Sequence, residues 1–178
     1  MIVCLGWGSL VWDPRCLPIS GEWHNNGPKI PLEFARQSQN GRLTLVIDPE
    51  SPPTEVLWAA LSVADLSEAV EALSCREGTP TDQPIGRWPN DSPYECTDII
   101  EKWAQSRSFD GVVWTALRPK FGDQNGSRPS QGQAVDYLAS LRGHRRHCAE
   151  EYVRRAPFQI DTPYRQAISK HLRWTPIE

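Results

Sequence analysis

Two short segments carry residue types in an order that suits chemistry. The first is Gly6-Trp7-Gly8-Ser9-Leu10, which follows the apolar run Met1–Leu5. A strand that ends in Gly-x-Gly-Ser offers consecutive backbone N–H groups with no side chain blocking approach. Such a nest suits a carboxylate or a developing oxyanion. The plainer reading is a tight turn that redirects the chain. The pattern lacks the third glycine and following helix of a dinucleotide-binding fingerprint, and the Gly-Lys-Ser/Thr ending of a phosphate loop. The second segment is Cys75-Arg76-Glu77-Gly78, at the end of a predicted helix. A carboxylate there meets the negative end of the helix dipole, at a cost of ~0.3–1 kcal/mol. That position favours a protonated carboxyl and suits general acid–base work. The plainer reading is an exposed Glu paired with Arg76 or another surface cation.

Other candidates have weaker patterns. His144, His147, Cys148 and Glu151 fall at i, i+3, i+4 and i+7, one face of a predicted helix. No further Cys/His pair completes a zinc spacing, so no metal is expected. Cys148 sits beside His147, but adjacent helical residues point about 100° apart and make a poor nucleophile–base pair. His24 and His171 have no partner pattern. Asp13 and Arg15 flank the glycine turn, where they reach a ligand or tie the loop down.

The elements that must hold these residues read as follows. Residues 1–5 suit a buried strand. Residues 13–31, with four prolines, two Asn and two Gly, read as loop. Strands are expected over Leu32–Gln37 and Leu43–Ile47, with Gln39-Asn40-Gly41 as the hairpin turn, and over Glu55–Leu61. A helix follows, opened by Asp65 or Ser62, with Leu66, Ala69, Val70 and Leu73 at apolar spacing and Gly78 as its stop. Residues 79–93 read as a long proline-rich loop, Ser92–Arg107 as a helix and Asp110–Leu117 as a strand. Residues 119–130 read as loop. Helices are expected over Gln131–Leu141, His144–Arg155 and Pro163–Trp174. The sum is one α+β domain over residues 1–178 with a helical C-terminal part from about residue 131.

Composition narrows the class. The 178 residues are 39% apolar and 23% charged with net charge −3, which excludes a disordered acidic chain, a collagen-like repeat and a globally basic nucleic-acid binder. Residues 142–178 carry +4 against −7 for 1–141. That asymmetry permits an acidic partner, or attraction across the domain or a homodimer. No aromatic-interleaved RNA motif accompanies it, so nucleic acid is not an expected partner. Five cysteines without a spacing framework point to reduced thiols and a cytoplasmic setting. No apolar run is long enough for a membrane span. The eight tryptophans imply an aromatic core, a pocket, or both.

The segment Leu5-Gly6-Trp7-Gly8-Ser9-Leu10-Val11-Trp12-Asp13-Pro14 resembles the opening motif of the gamma-glutamylcyclotransferase-like superfamily, which includes AIG2-like and ChaC-like proteins. There a first strand runs into Tyr-Gly-Ser-Leu or Tyr-Gly-Ser-Asn, often followed by an aromatic and Asn/Asp-Pro. The resemblance continues in Val56-Leu57-Trp58-Ala59, a short helix, and Arg76-Glu77-Gly78, about 70 residues on. Trp7 stands where the family usually has Tyr. The resemblance implies a small mixed β-barrel with flanking helices and no cofactor. It implies cyclisation of a γ-glutamyl group to 5-oxoproline with release of an amine. Glu77 would be the acid/base, and Gly6, Trp7, Gly8, Ser9 and Leu10 would hold the substrate. Arg36 and Ser38 fall on a strand that family geometry places near the pocket. The alternative is a binding module that keeps the fold without the catalysis.

Overall fold

The structure, a computed structural model, describes residues 1–78, 85–89 and 94–177. In chain order the strands are β1 (Ile2–Gly6), β2 (Ile19–His24), β3 (Lys29–Gln37), β4 (Leu43–Ile47), β5 (Pro53–Glu55), β6 (Leu57–Leu61), β7 (Ile85–Trp88), β8 (Gly111–Thr115), β9 (Lys120–Phe121) and β10 (Gln124–Asn125). The helices are α1 (Leu66–Glu77), α2 (Thr97–Ser106), α3 (Gln131–Ser140), α4 (Gly143–Arg155) and α5 (Pro163–Leu172). The fold is mixed α+β. It divides into two compact units, Met1–Ile30 with Glu55–Leu117, and Pro31–Thr54 with Arg118–Glu178.

The first unit is built on the sheet β2-β6-β1-β8-β7. Its centre is β1, parallel to β8 and antiparallel to β6, with Cys4 opposite Val113 and Ala59. A strand flanked on both sides reads as an uninterrupted apolar run, and Val3, Cys4 and Leu5 are buried. Helix α1 packs on β8, β7 and β1. The predicted loop over 13–31 contains β2, an edge strand paired with β6 across a register shift. Its exposed Ser20, Gly21 and Glu22 give no apolar alternation, so only its backbone pairing marks it as a strand. The predicted strand over Glu55–Leu61 breaks at Val56, whose N–H and C=O bond Pro28 O and Gly27 N instead. Within the predicted loop 79–93, Ile85–Trp88 form β7, because Gly86 lets the strand lie against Trp114. A Cβ there would stand 2.1 Å from the Trp114 ring. Residues 79–84 and 90–93 of that loop lie outside the described residues, as does Ser92, the expected start of the second helix.

The second unit holds the sheet β10-β9-β3-β4, with β5 also paired to β3. The predicted hairpin is present: β3 and β4 pair antiparallel, and Gly41 takes φ +81° in the turn, where a side chain would be strained. The predicted loop 119–130 contains the short pair β9–β10. The barrel implied by the family resemblance is not found. Among the described residues the strands make two open five-stranded sheets, because β3 pairs with β4, β5 and β9 and completes a sheet of its own.

Two buried polar side chains organise this unit. Arg165 donates to the carbonyls of Val153, Arg154, Ala156, Pro157 and Ile160. It so satisfies the end of α4 with a cation, the sign the dipole favours there. Glu33, fully buried, accepts from Phe34 N at 2.8 Å, Thr162 Oγ1 at 2.5 Å and Tyr164 N at 3.2 Å. It caps the start of α5. Burial pushes its carboxyl up from 4.5 to about 7, against the hydrogen bonds from Thr162, Phe34 and Tyr164. The folded state therefore holds a proton that the unfolded chain releases near pH 4.5. The stabilisation is complete below that pH and is lost as pH rises through 7. Urea unfolding at pH 5 and pH 8 should show wild type losing on the order of 2–3 kcal/mol more than Glu33→Gln over that interval; parallel losses in the two proteins would show that Glu33 does not titrate there.

Candidate functional site

Helix α1 is the element that positions the chemistry. Asp65 caps it through Glu68 N at 2.9 Å, and Glu68 returns a bond to Ala64 N at 2.7 Å. Ser62, the other predicted cap, takes no part. At the far end Gly78 adopts φ +62° and its N–H bonds the carbonyls of Ser74 and Cys75, a left-handed stop. Ala69 and Leu73 are fully buried in a cluster with Cys4, Leu10, Leu17, Leu61, Ile85 and Val113. Leu10 and Leu17 come from either side of the loop that follows β1, so the same core fastens both loop and helix. Each buried leucine contributes roughly 1.5–3 kcal/mol.

Arg76 follows Ala69 by seven residues and Leu73 by three, so it falls on the same buried stripe. Its side chain is 6% exposed. The guanidinium is accommodated by four bonds: Nε and Nη2 to Asp13 O at 3.2 and 2.9 Å, Nη2 to Ser9 Oγ at 3.1 Å, and Nη1 to Glu77 Oε1 at 2.6 Å. Arg15 supports the same joint, with Nη1 to Arg76 O at 3.4 Å and Nε to Asp13 Oδ2 at 3.1 Å. Glu77 is thus paired with Arg76 but is not on the open surface, its side chain being 17% exposed. Among the described residues nothing donates to its second oxygen, Oε2.

The glycine turn is more enclosed than its sequence implies. Gly6, Trp7, Gly8 and Leu10 are buried and Ser9 is half-buried. The Trp23 ring covers Gly6, where a Cβ would come within 2.6 Å of it. That glycine therefore admits a tryptophan face and offers no open approach. The chain then makes one helical turn, with Val11 N bonding Gly8 O and Asp13 N bonding Ser9 O. Among the described residues none accepts from the N–H groups of Gly8, Ser9 or Leu10, of which Gly8 and Leu10 are buried and Ser9 is half-buried. Cys4, on β1, is fully buried. Burial, and then the Glu77 charge, push its thiol far up, with Arg76 opposing, so it is no thiolate nucleophile.

The structure brings Ser9, Asp13, Arg15 and Glu77 together around Arg76. From the sequence, Arg76 reads only as a surface partner for Glu77. The signal for more was its place on the apolar stripe of Ala69 and Leu73. Trp23, on the unpredicted β2, carried no such signal. Arg36, bonded to Arg118 O at 2.9 Å, and Ser38 belong to the second unit. His24 stacks on Trp58 with ring centroids 4.3 Å apart, and His171 is exposed on α5. His144 Nε2 lies 3.3 Å from Cys148 Sγ. Among the described residues no group of three or more His, Cys, Asp or Glu side chains is placed to hold a metal ion. The basic charge of α4 and α5 is partly engaged internally, through Arg154–Glu150, Arg155–Glu151 and the buried Arg165. No described helix is long and apolar enough to cross a membrane. Compared with known proteins, the chain matches no family model, no curated protein and no solved structure.

Removing one partner of a buried ion pair strands the other. Arg76→Met should therefore destabilise the protein by about 3–5 kcal/mol. Glu77→Gln, which keeps an oxygen for Nη1, should cost only about 1–3 kcal/mol. Denaturant unfolding of both variants checks the order; equal losses would mean that Arg76 does not organise the loop.

Proposed function

We propose that the chain is a cofactor-independent enzyme that cyclises a γ-glutamyl group to 5-oxoproline, with Glu77 as its general acid/base. The observation that carries this reading is the Arg76 bridge, which ties the Glu77 carboxylate to Ser9 and Asp13 of the glycine loop. The two motifs that resemble gamma-glutamylcyclotransferase-like proteins lie at opposite ends of that bridge. In the reaction, Glu77 Oε2 takes a proton from the substrate's α-ammonium group. The freed amine attacks the γ-carbonyl carbon, and the N–H groups of Gly8, Ser9 and Leu10 receive the oxyanion that forms. Glu77 then returns the proton to the departing amine as the C–N bond breaks, and the ring nitrogen releases its remaining extra proton to water. Nucleophile and electrophile belong to one molecule, so the protein's task is orientation and proton transfer. Arg76 holds Oε1 and is a positioning residue. Membership of the gamma-glutamylcyclotransferase-like superfamily, without its closed barrel, and assembly as a homodimer are part of this proposal.

The second reading is a binding module that uses the same bridge as a structural clamp. The cover of Trp23 over Gly6, and the burial of Trp7 and Leu10, favour it. A panel of γ-glutamyl peptides, γ-glutamylamines and glutathione, assayed for 5-oxoproline, separates the two. Turnover is expected on at least one member, falling roughly 10²–10⁴-fold in Glu77→Gln. Turnover that survives the substitution would remove Glu77 from the role, and no turnover from folded protein would favour the module.

A further inference from the structure

Cys16 and Cys75 are far apart in sequence, yet the fold of the first unit sets their sulfurs 3.1 Å from each other. Both are exposed and both are free thiols. The cysteines flank the joint just described. Cys16 lies one residue after Arg15 on the loop, and Cys75 lies one residue before Arg76 on α1. The remaining three are set apart. Cys4 is buried, Cys96 is half-buried with its thiol pushed up to about 11 by burial and by Glu95 and Asp98, and Cys148 is half-buried on α4 beside His144. The contact with Cys16 also makes Cys75 hold its proton more tightly, first through the shared hydrogen bond and then through the Cys16 charge.

We infer that Cys16 and Cys75 form a dithiol site for thiol–disulfide exchange with small-molecule disulfides, closing to an intramolecular bridge between the glycine loop and α1. In the first step the thiolate of one cysteine attacks a sulfur of the reagent. The reagent S–S bond breaks, one half leaves as thiolate, and a mixed disulfide remains. In the second step the other cysteine, as thiolate, attacks the protein sulfur of that mixed disulfide. The Sγ–Sγ bond forms and the second half leaves. The cysteines together give up two electrons and two protons, and the reagent becomes two thiols. Because the sulfurs already touch, the bridge joins the two segments that Arg76 joins by hydrogen bonds. It adds a covalent tie without requiring the clamp to open. The inference rests on the cysteine geometry and does not depend on the proposed cyclisation.

The full reduced chain is incubated with oxidised glutathione or, in parallel, with 2-hydroxyethyl disulfide, which carries no γ-glutamyl group. Free thiols are then alkylated under denaturing conditions and the peptides mapped by mass spectrometry. The expected result with both reagents is loss of two thiols and a single linked pair, Cys16 to Cys75, with Cys4, Cys96 and Cys148 alkylated. The bridged protein should melt roughly 5–15 °C above the reduced form. Cys16→Ser should stop at a mixed disulfide on Cys75 and show no such rise. A wild-type chain that keeps five free thiols, halts at a mixed disulfide or links another pair would overturn the proposal. A rise in melting temperature that persists in Cys16→Ser would equally overturn it. Response to oxidised glutathione alone would also count against it, since that would trace the effect to γ-glutamyl binding.

Discussion

The Arg76 guanidinium is almost wholly removed from water, and a charge in that position is tolerated only while its hydrogen-bonding groups are met. Four bonds do this, and they come from three places: the carbonyl of Asp13, the hydroxyl of Ser9 and the carboxylate of Glu77. No one of these suffices alone. The loop must therefore fold back so that Asp13 and Ser9 face α1, and α1 must continue far enough for Glu77 to follow Arg76. Leu10 and Leu17 hold the loop in place from its apolar side. The polar clamp thus closes a gap that hydrophobic packing has already narrowed. Packing brings the segments together, and the guanidinium selects one arrangement among the compact ones.

The second unit follows the same logic with the signs distributed differently. Arg165 meets carbonyls from α4 and the segment after it, and Glu33 meets N–H and O–H groups at the start of α5. The Arg165 cation sits where the end of α4 presents the opposite partial charge, and the Glu33 carboxyl accepts from the donors at the start of α5. In the first unit the ion pair is internal to one helix end, and Gly78 stops the helix immediately beyond it. Glu77 therefore lies at the less favourable end of a dipole and is steadied by the adjacent guanidinium. Removing Arg76 would leave the carboxylate facing both the dipole and a low-dielectric surrounding.

What could be read from the sequence follows from this division of labour. Elements with a strong period or a clear stop signal are legible: β1 as an apolar run, β3 and β4 around Gly41, α1 between Asp65 and Gly78, and the apolar core of β8. Elements defined by their partners are not. Strand β2 is polar and glycine-containing, and it exists because β6 offers it a ladder. Strand β7 depends on Gly86 fitting the Trp114 ring. The separation of β3 and β4 into a sheet with β9 is a matter of long-range pairing, which no local pattern encodes. For the site, Glu77 and the glycine turn stood out as motifs, whereas Arg76 looked like an ordinary helix-end cation. Its register with Ala69 and Leu73 held the information, but a basic residue on an apolar stripe is easily discounted as a breach of the pattern.

The tryptophans show why composition alone could not separate a pocket from a core. Trp114 and Trp174 are fully buried, and Trp7 and Trp58 nearly so. Trp58 is fixed by its Nε1 bond to Asn26 Oδ1 at 2.8 Å and by stacking on His24. Trp23 does something different. Half-buried at a sheet edge, it lays its ring over Gly6 and closes one side of the turn. A glycine that sequence reading takes as an opening is here the seat for an aromatic face. The N–H groups without a partner among the described residues lie further along the chain, at Gly8, Ser9 and Leu10, next to the hydroxyl that Arg76 grips. Loop and helix end thereby meet at the Arg76 guanidinium, which holds Ser9 Oγ on one side and Glu77 Oε1 on the other.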